Sequence, residues 1–164
     1  MQTQPPISRL LLITLGVVLA VIAADQYTKW LVFETVLHGP GGLSFGDWLG
    51  TARPWASFEA QDIYHPVTLG PVLDFVMVWN KGISFGMFDV NSLTLPVVFI
   101  GVSLAVSVAL LVWMIVMRRA IITVATAMII GGALGKVVDR IRCGAVADFI
   151  DFHIGDRHWP AFNV

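Results

Sequence analysis

The chain is predicted to be a membrane α-helical bundle, with three transmembrane helices and a small β-rich extracytoplasmic cradle. Three observations predict it. The 164 residues are 57% hydrophobic and 13% charged, about half the charge of an ordinary soluble domain. Three separate stretches are apolar enough to cross a bilayer, each near the roughly 20 residues a spanning helix needs. Between them lies a segment rich in glycine, proline and aromatic residues, with short strand-like runs. The mean hydropathy of +0.80 points the same way. The composition excludes a disordered chain, and the net charge of −1 gives no basic excess for a phosphate backbone, so no nucleic-acid partner is expected. The single cysteine, Cys143, excludes an internal disulfide framework and a cysteine-based zinc site.

The expected spans are residues 8–33, 93–117 and 120–138 of a single membrane domain, with extracytoplasmic segments 34–92 and 139–164. Leu10 to Ala24 carries no charge, and neither does the second span. A cleaved signal peptide is the competing reading of the first span. Against it, Ile22 and Ala24 make a poor cleavage site, and apolar Trp30-Leu31-Val32-Phe33 follows. Arg9 before the first span, and Arg118 and Arg119 between the second and third, place those ends in the cytoplasm. The intervening segment has Arg53 and Lys81 against Glu34, Asp47, Glu59, Asp62, Asp74 and Asp89, which suits the outer side. Arg140, Arg142 and Arg157 fit the rule less well. Small residues recur every four positions, at Gly101, Ala105 and Ala109 and at Ala127, Gly131 and Gly135. That spacing lets helix backbones approach closely in lipid, so they are expected to pack rather than to react. In the outer segment, Val67–Leu69 and Val72–Asn80 read as strands around Gly70-Pro71.

Ionisable residues inside spans are costly and mark functional candidates. Asp25 and Lys29 share a helix face by their four-residue spacing; function and interfacial anchoring both explain the pair. Lys136, Asp139 and Arg140 are expected on one face at the end of the third span. Beyond it, Asp148 and Asp151 sit among apolar residues in Val146-Ala147-Asp148-Phe149-Ile150-Asp151-Phe152. Partial burial would raise their pKa values and suit acid/base work. A helix would set the two side by side and a strand on opposite faces; an interfacial amphipathic segment with solvated carboxylates is the plainer alternative. His38, His65, His153 and His158 show no metal-ligand spacing, so no metal is expected. No Gly-x-Ser-x-Gly nucleophile motif occurs.

Taken in order, these pieces resemble the lipoprotein signal peptidase (signal peptidase II) family. Asp25-Gln26-Tyr27-Thr28-Lys29 matches its first-helix motif, and Asn80-Lys81-Gly82-Ile83-Ser84-Phe85 its Asn-x-Gly-x-(Ala/Ser)-Phe motif. Gly131-Gly132-Ala133-Leu134-Gly135 with Asp139-Arg140 is similar to its third-helix motif. Val146–Phe152 and Ala161-Phe162-Asn163 resemble the fourth motif and the start of the fifth.

The resemblance implies a monomeric aspartic endopeptidase of the bacterial inner membrane, with no cofactor and a site near the outer face. Its substrate would be a lipidated prolipoprotein, cut just before the lipid-modified cysteine, with membrane lipid around it. It implies four transmembrane helices. By the same resemblance Asp148 is one catalytic aspartate, and its partner is expected at position 166. Asp25, Lys29, Asn80, Gly82, Asp139, Arg140 and Asn163 match positions that support or line the site.

Two departures carry expectations of their own. Lys136 stands where the family usually has asparagine; its charge would lower a neighbouring carboxyl's pKa, unless it turns to the headgroups. The printed chain ends at Val164, before position 166 and the fourth helix, so this 164-residue form is expected to have little or no peptidase activity. The segment from Glu34 to Met77 is also long for the family and either enlarges the cradle or decorates it. The rival readings are a non-catalytic binder of lipidated peptides and a small transporter using Asp25, Lys29 and Asp139.

Overall fold

The structure is a computed structural model; it describes residues 5–51, 54, 64–82 and 94–163. Helix α1 (Ile7–Trp30) runs without a break into a π-helical extension (Leu31–Leu37). A short helix, α2 (Phe45–Gly50), follows, capped by the Ser44 hydroxyl, which accepts from the Asp47 backbone N–H. Strands β1 (Val67–Gly70) and β2 (Leu73–Asn80) form a hairpin. Helices α3 (Thr94–Met117) and α4 (Ala120–Cys143) are joined by a tight turn, and strands β3 (Val146–Ile154) and β4 (Arg157–His158) follow. Ile83, Ser84, Phe85 and Leu93 lie outside the described residues, as do Arg53, Glu59, Asp62 and Asp89.

Among the described residues three helices are long and apolar enough to cross a membrane: Ile7–Leu37, Leu95–Met117 and Ala120–Cys143. Helix α4 passes Val138 and ends only at Gly144, whose φ of 80° is left-handed and open chiefly to glycine. Helices α1 and α4 meet closely. A Cβ on Gly131 would stand 2.7 Å from Val21 Cβ, so only hydrogen fits there. Val18, Ala127 and Ile130 form the apolar seam, with Leu110 and Leu111 of α3 packed against it.

The small-residue stripe on α3 behaves differently. Gly101, Ala105 and Ala109 are exposed, and among that helix's described residues Ser107 and Met114 are the buried ones. Spacing shows that small residues share a face, not which neighbour the face meets.

The sheet is antiparallel in the order β1-β2-β3-β4. An irregularity between Phe75 and Val78 shifts the β2–β3 register, so Asp148 lies opposite Val78 and Ile150 opposite Phe75. Its core lies at the end of the helices. Val32, Phe33 and Leu37 of the π-helical extension pack with Trp48 of α2, Trp79 of β2 and Ala147 and Phe149 of β3. The wider π turn, closed by His38 N–H donating to the Phe33 carbonyl, places Val32, Phe33 and Leu37 together under the sheet. Phe33 is fully buried and meets the rings of Trp48, Trp79 and Phe149 at centroid distances of 5.9 to 6.2 Å. The sheet is thereby seated on the helix ends, and β3 crosses the mouth of the bundle directly after α4.

Candidate active site

Asp148 stands at the third position of β3, and only 4% of its surface is exposed. An amide side chain serves each of its oxygens. Asn80 Nδ2 donates to Oδ2 at 3.0 Å, and Asn163 Nδ2 donates to Oδ1 at 2.7 Å. Asn80 is aimed by its own oxygen, which accepts from the Gly82 N–H at 2.8 Å. Gly82 has a φ of 106°, and a Cβ there would run into the Phe99 ring. These two facts give that position to glycine. Asn163 is held by a second bond to the Ala147 carbonyl at 3.0 Å, and Phe162 pairs with Ile150 across the sheet.

Burial raises the Asp148 pKa above the ordinary carboxylate value, because a charge there is poorly solvated. The Asn80 hydrogen bond and the charges of Lys136 and Lys29 pull the other way without cancelling it. Lys136 is exposed, yet its charge reaches Asp148. Desolvation outweighs it, so Lys136 moderates the upward shift without reversing it.

Beneath β3 lies a second, fully internal polar cluster. Lys29 has no exposed surface; its Nζ lies 2.7 Å from Asp25 Oδ2 and 2.6 Å from Asp139 Oδ2. Asp25 and Asp139 are both buried, so the Asp25–Lys29 pair is not a solvated interfacial anchor. Room for it comes from Gly135: a Cβ there would sit 2.6 Å from Asp25 Oδ2. The cluster touches the strand above it, because the Ala147 N–H donates to Asp139 Oδ2 at 3.2 Å.

Lys136, Asp139 and Arg140 do not act as one face. Asp139 turns inward to α1, Lys136 is exposed, and the half-buried Arg140 guanidinium lies 4.9 Å over the Phe99 ring of α3. Successive helical residues diverge by about 100°, so neighbours at steps of three and four straddle an axis and can meet different partners.

Asp151 is directed elsewhere. In a strand it takes the opposite face from Asp148, and its Oδ2 lies 2.7 Å from His158 Nδ1. His153 stacks on His158 at 5.0 Å and pairs with Asp74 at 3.4 Å, so these four residues cross-link the outer end of the sheet. Among the described residues no group of three or more His, Cys, Asp or Glu could hold a metal ion.

Residue patterning did not single out three polar residues, of which Gln26 and Glu34 are buried and Arg142 is partly buried. Gln26 lies within the ion cluster, Arg142 beside it, and Glu34 accepts from the Leu43 N–H and the Tyr64 hydroxyl. Gln26 and Glu34 were legible as polar residues in an apolar stretch; Arg142 was legible only as a cation on the less expected side.

Fold and site together define a multi-pass membrane protein whose sheet presents a desolvated carboxylate beside a buried ion network. The family described as signal peptidase (SPase) II matches residues 17–164. A lipoprotein signal peptidase of Methylorubrum extorquens is 38% identical over 150 residues, covering 89% of this chain and 72% of the relative. One from Anaplasma phagocytophilum is 45% identical over 101 residues, covering 60% of this chain and 62% of the relative. A solved bacterial membrane enzyme shares the fold, with a TM-score of 0.61 and 22% identity over 99% of this chain and 86% of that one. The chain belongs to the signal peptidase II family, and so to the membrane aspartic peptidases.

Proposed function

We propose that Asp148 is one carboxylate of an aspartic pair that removes the signal peptide from diacylglyceryl-modified prolipoproteins, cutting before the lipidated cysteine. The observation that carries this reading is the seating of Asp148: a buried carboxyl, gripped on both oxygens by Asn80 and Asn163, at the end of the spanning helices. A raised pKa brings such a carboxyl nearer the range in which it can trade protons with water. The family resemblance puts its partner at position 166, three residues past Asn163. Asn163 donates to Asp148 Oδ1, which brings that end of the described chain beside the carboxyl.

In the reaction, one ionised carboxylate takes a proton from water, and the oxygen attacks the scissile carbonyl. The protonated partner donates to the carbonyl oxygen and then helps the amine leave. Two close carboxyls resist ionising together, so they titrate as a pair. Asp25, Lys29, Asp139 and Arg140 support this site from below, and Gly82 keeps Asn80 in place. The protein sits in the inner membrane as a single copy with the site at the outer face, on the side where the β1–β2 hairpin and strands β3 and β4 lie. Surrounding lipid presents the substrate's acyl chains to the same side.

The full-length protein in proteoliposomes, given a diacylglyceryl-modified prolipoprotein, should release the signal peptide and leave the modified cysteine as the new N-terminus. Binding of that substrate without any release, in folded protein, would instead favour a binding-only role.

A further inference from the structure

We propose that Gln26 and Arg142 are positioning residues for Asp148, tying the short helix α2 to the strand that carries it. This rests on the peptidase reading above and adds two residues to its machinery.

Gln26 is 3% exposed and faces charge on both sides. Its Nε2 donates to Asp25 Oδ2 at 3.0 Å and to Asp139 Oδ1 at 2.8 Å. Its Oε1 accepts from the Arg142 guanidinium at 2.9 Å. A primary amide has donors at one end and an acceptor at the other. With two carboxyl groups on one side and a guanidinium on the other, a single orientation of the amide makes all three of these hydrogen bonds. Arg142 therefore sets which way Gln26 points.

The other arm of Arg142 reaches α2. It donates to the Trp48 carbonyl and, at 3.2 Å, to the Thr51 carbonyl. Carbonyls at the end of a helix lack intrahelical partners, so a cation there fills a standing vacancy. The guanidinium also lies 5.5 Å from the Trp48 ring, and Trp48 is buried in the core with Ala147 and Phe149. Arg142 thus joins α2, α1 and α4 at one point.

The chain of bonds then runs on to the site. Asp139, oriented through Oδ1 by Gln26, accepts the Ala147 N–H through Oδ2. The Ala147 carbonyl is held by Asn163. The residue before Asp148 is fixed at both ends, once from below by this network and once from the side by a residue that also grips Asp148. Two anions, Asp25 and Asp139, face two cations, Lys29 and Arg142, with neutral Gln26 between them. Neither Gln26 nor Arg142 is hydrogen-bonded to Asp148; their bonds reach it through Asp139 and the Ala147 backbone.

If this linkage loosens, the Asn80 and Asn163 donors lose alignment with Asp148. Both favour its ionised form, so its pKa would rise and the acid limb of activity would move to higher pH.

The test uses the full-length protein in proteoliposomes with a synthetic diacylglyceryl-cysteine peptide. Gln26→Leu and Arg142→Met are each expected to lower kcat roughly 10- to 100-fold, the scale of a small misplacement of a reacting group. KM should stay within about threefold and the acid limb should move up. The double variant should be no worse than the poorer single one, because the two residues act through one another. Arg142→Lys, which keeps a donor, should recover most of the loss. Should Arg142→Met not fold, Gln26→Asn and Arg142→Gln are read for the same limb shift. Folded variants with unchanged kcat and an unmoved acid limb overturn the proposal, as do losses that simply add. An active Asp148→Ala protein would instead overturn the assignment of Asp148 as a reacting carboxylate, which separates the two failures.

Discussion

Asn163 reaches back across fifteen residues to donate a 2.7 Å hydrogen bond to Asp148 Oδ1, and the same Nδ2 also donates to the Ala147 carbonyl. The final turn of the described chain is therefore clamped to the strand that carries the candidate carboxylate. Asn80 closes the other oxygen from β2. Three separate stretches of sequence meet at one carboxyl group, which explains how a residue in a short sheet can be held as firmly as one in a helix.

The amide grip makes a prediction about pH. Asn80→Ala removes a hydrogen bond that favours ionised Asp148, so the pKa, already raised by burial, rises further. If Asp148 works in its ionised form, the acid limb of kcat/KM moves to higher pH. Lys136→Asn should shift it the same way, since a cation that favours the carboxylate is lost. Only the Lys136 effect should shrink in high salt, because charge at an exposed side chain is screened. Rate profiles at two ionic strengths check both.

Lys29→Met should unfold the bundle well before it reports on catalysis. It leaves Asp25 and Asp139 buried together with no cation between them. Removing one partner of a buried ion pair costs about 3–5 kcal/mol. Thermal unfolding in detergent should show a large drop, and Asp25→Asn a smaller one, since Lys29 keeps Asp139.

Two glycines one turn apart should respond oppositely. Gly135→Ala drives a methyl group into the Asp25 carboxylate, and overpacking of this kind costs about 1–3 kcal/mol. Gly132→Ala meets nothing within 4 Å and should be neutral or slightly stabilising, since alanine favours a helix. Paired melting curves decide it.

Asp151→Asn should leave peptidase activity within about threefold of the parent, because this carboxyl pairs with His158 and faces away from Asp148. A loss as deep as that of an Asp148 variant would show that Asp151 belongs to the reacting pair.

Much of this architecture was readable in advance. Runs of apolar residues with no water-compatible face announce the helices, and Gly70-Pro71 punctuates the first hairpin. The third helix was harder: its polar end reads as an exit from the membrane, yet Asp139 pairs with Lys29 and Arg142 bonds Gln26 within the fold, and the helix continues to Gly144. The form of 146–154 was undecidable from spacing, since apolar residues surround both carboxylates. Pairing with β2 made it a strand and sent Asp148 and Asp151 to opposite faces. The roles of Gln26 and Arg142 depend on contacts more than a hundred residues apart, which no local pattern encodes.

The most direct test of the whole account is the turnover of full-length Asp148→Asn protein on a diacylglyceryl-modified prolipoprotein peptide, with folding confirmed by its melting curve. The exchange keeps size and shape but removes the ionisable group. A fall in kcat of about 10²–10⁴, the usual scale for losing a general acid or base, is the predicted result. Turnover within threefold of the parent, in folded protein, would contradict it and move the chemistry away from Asp148.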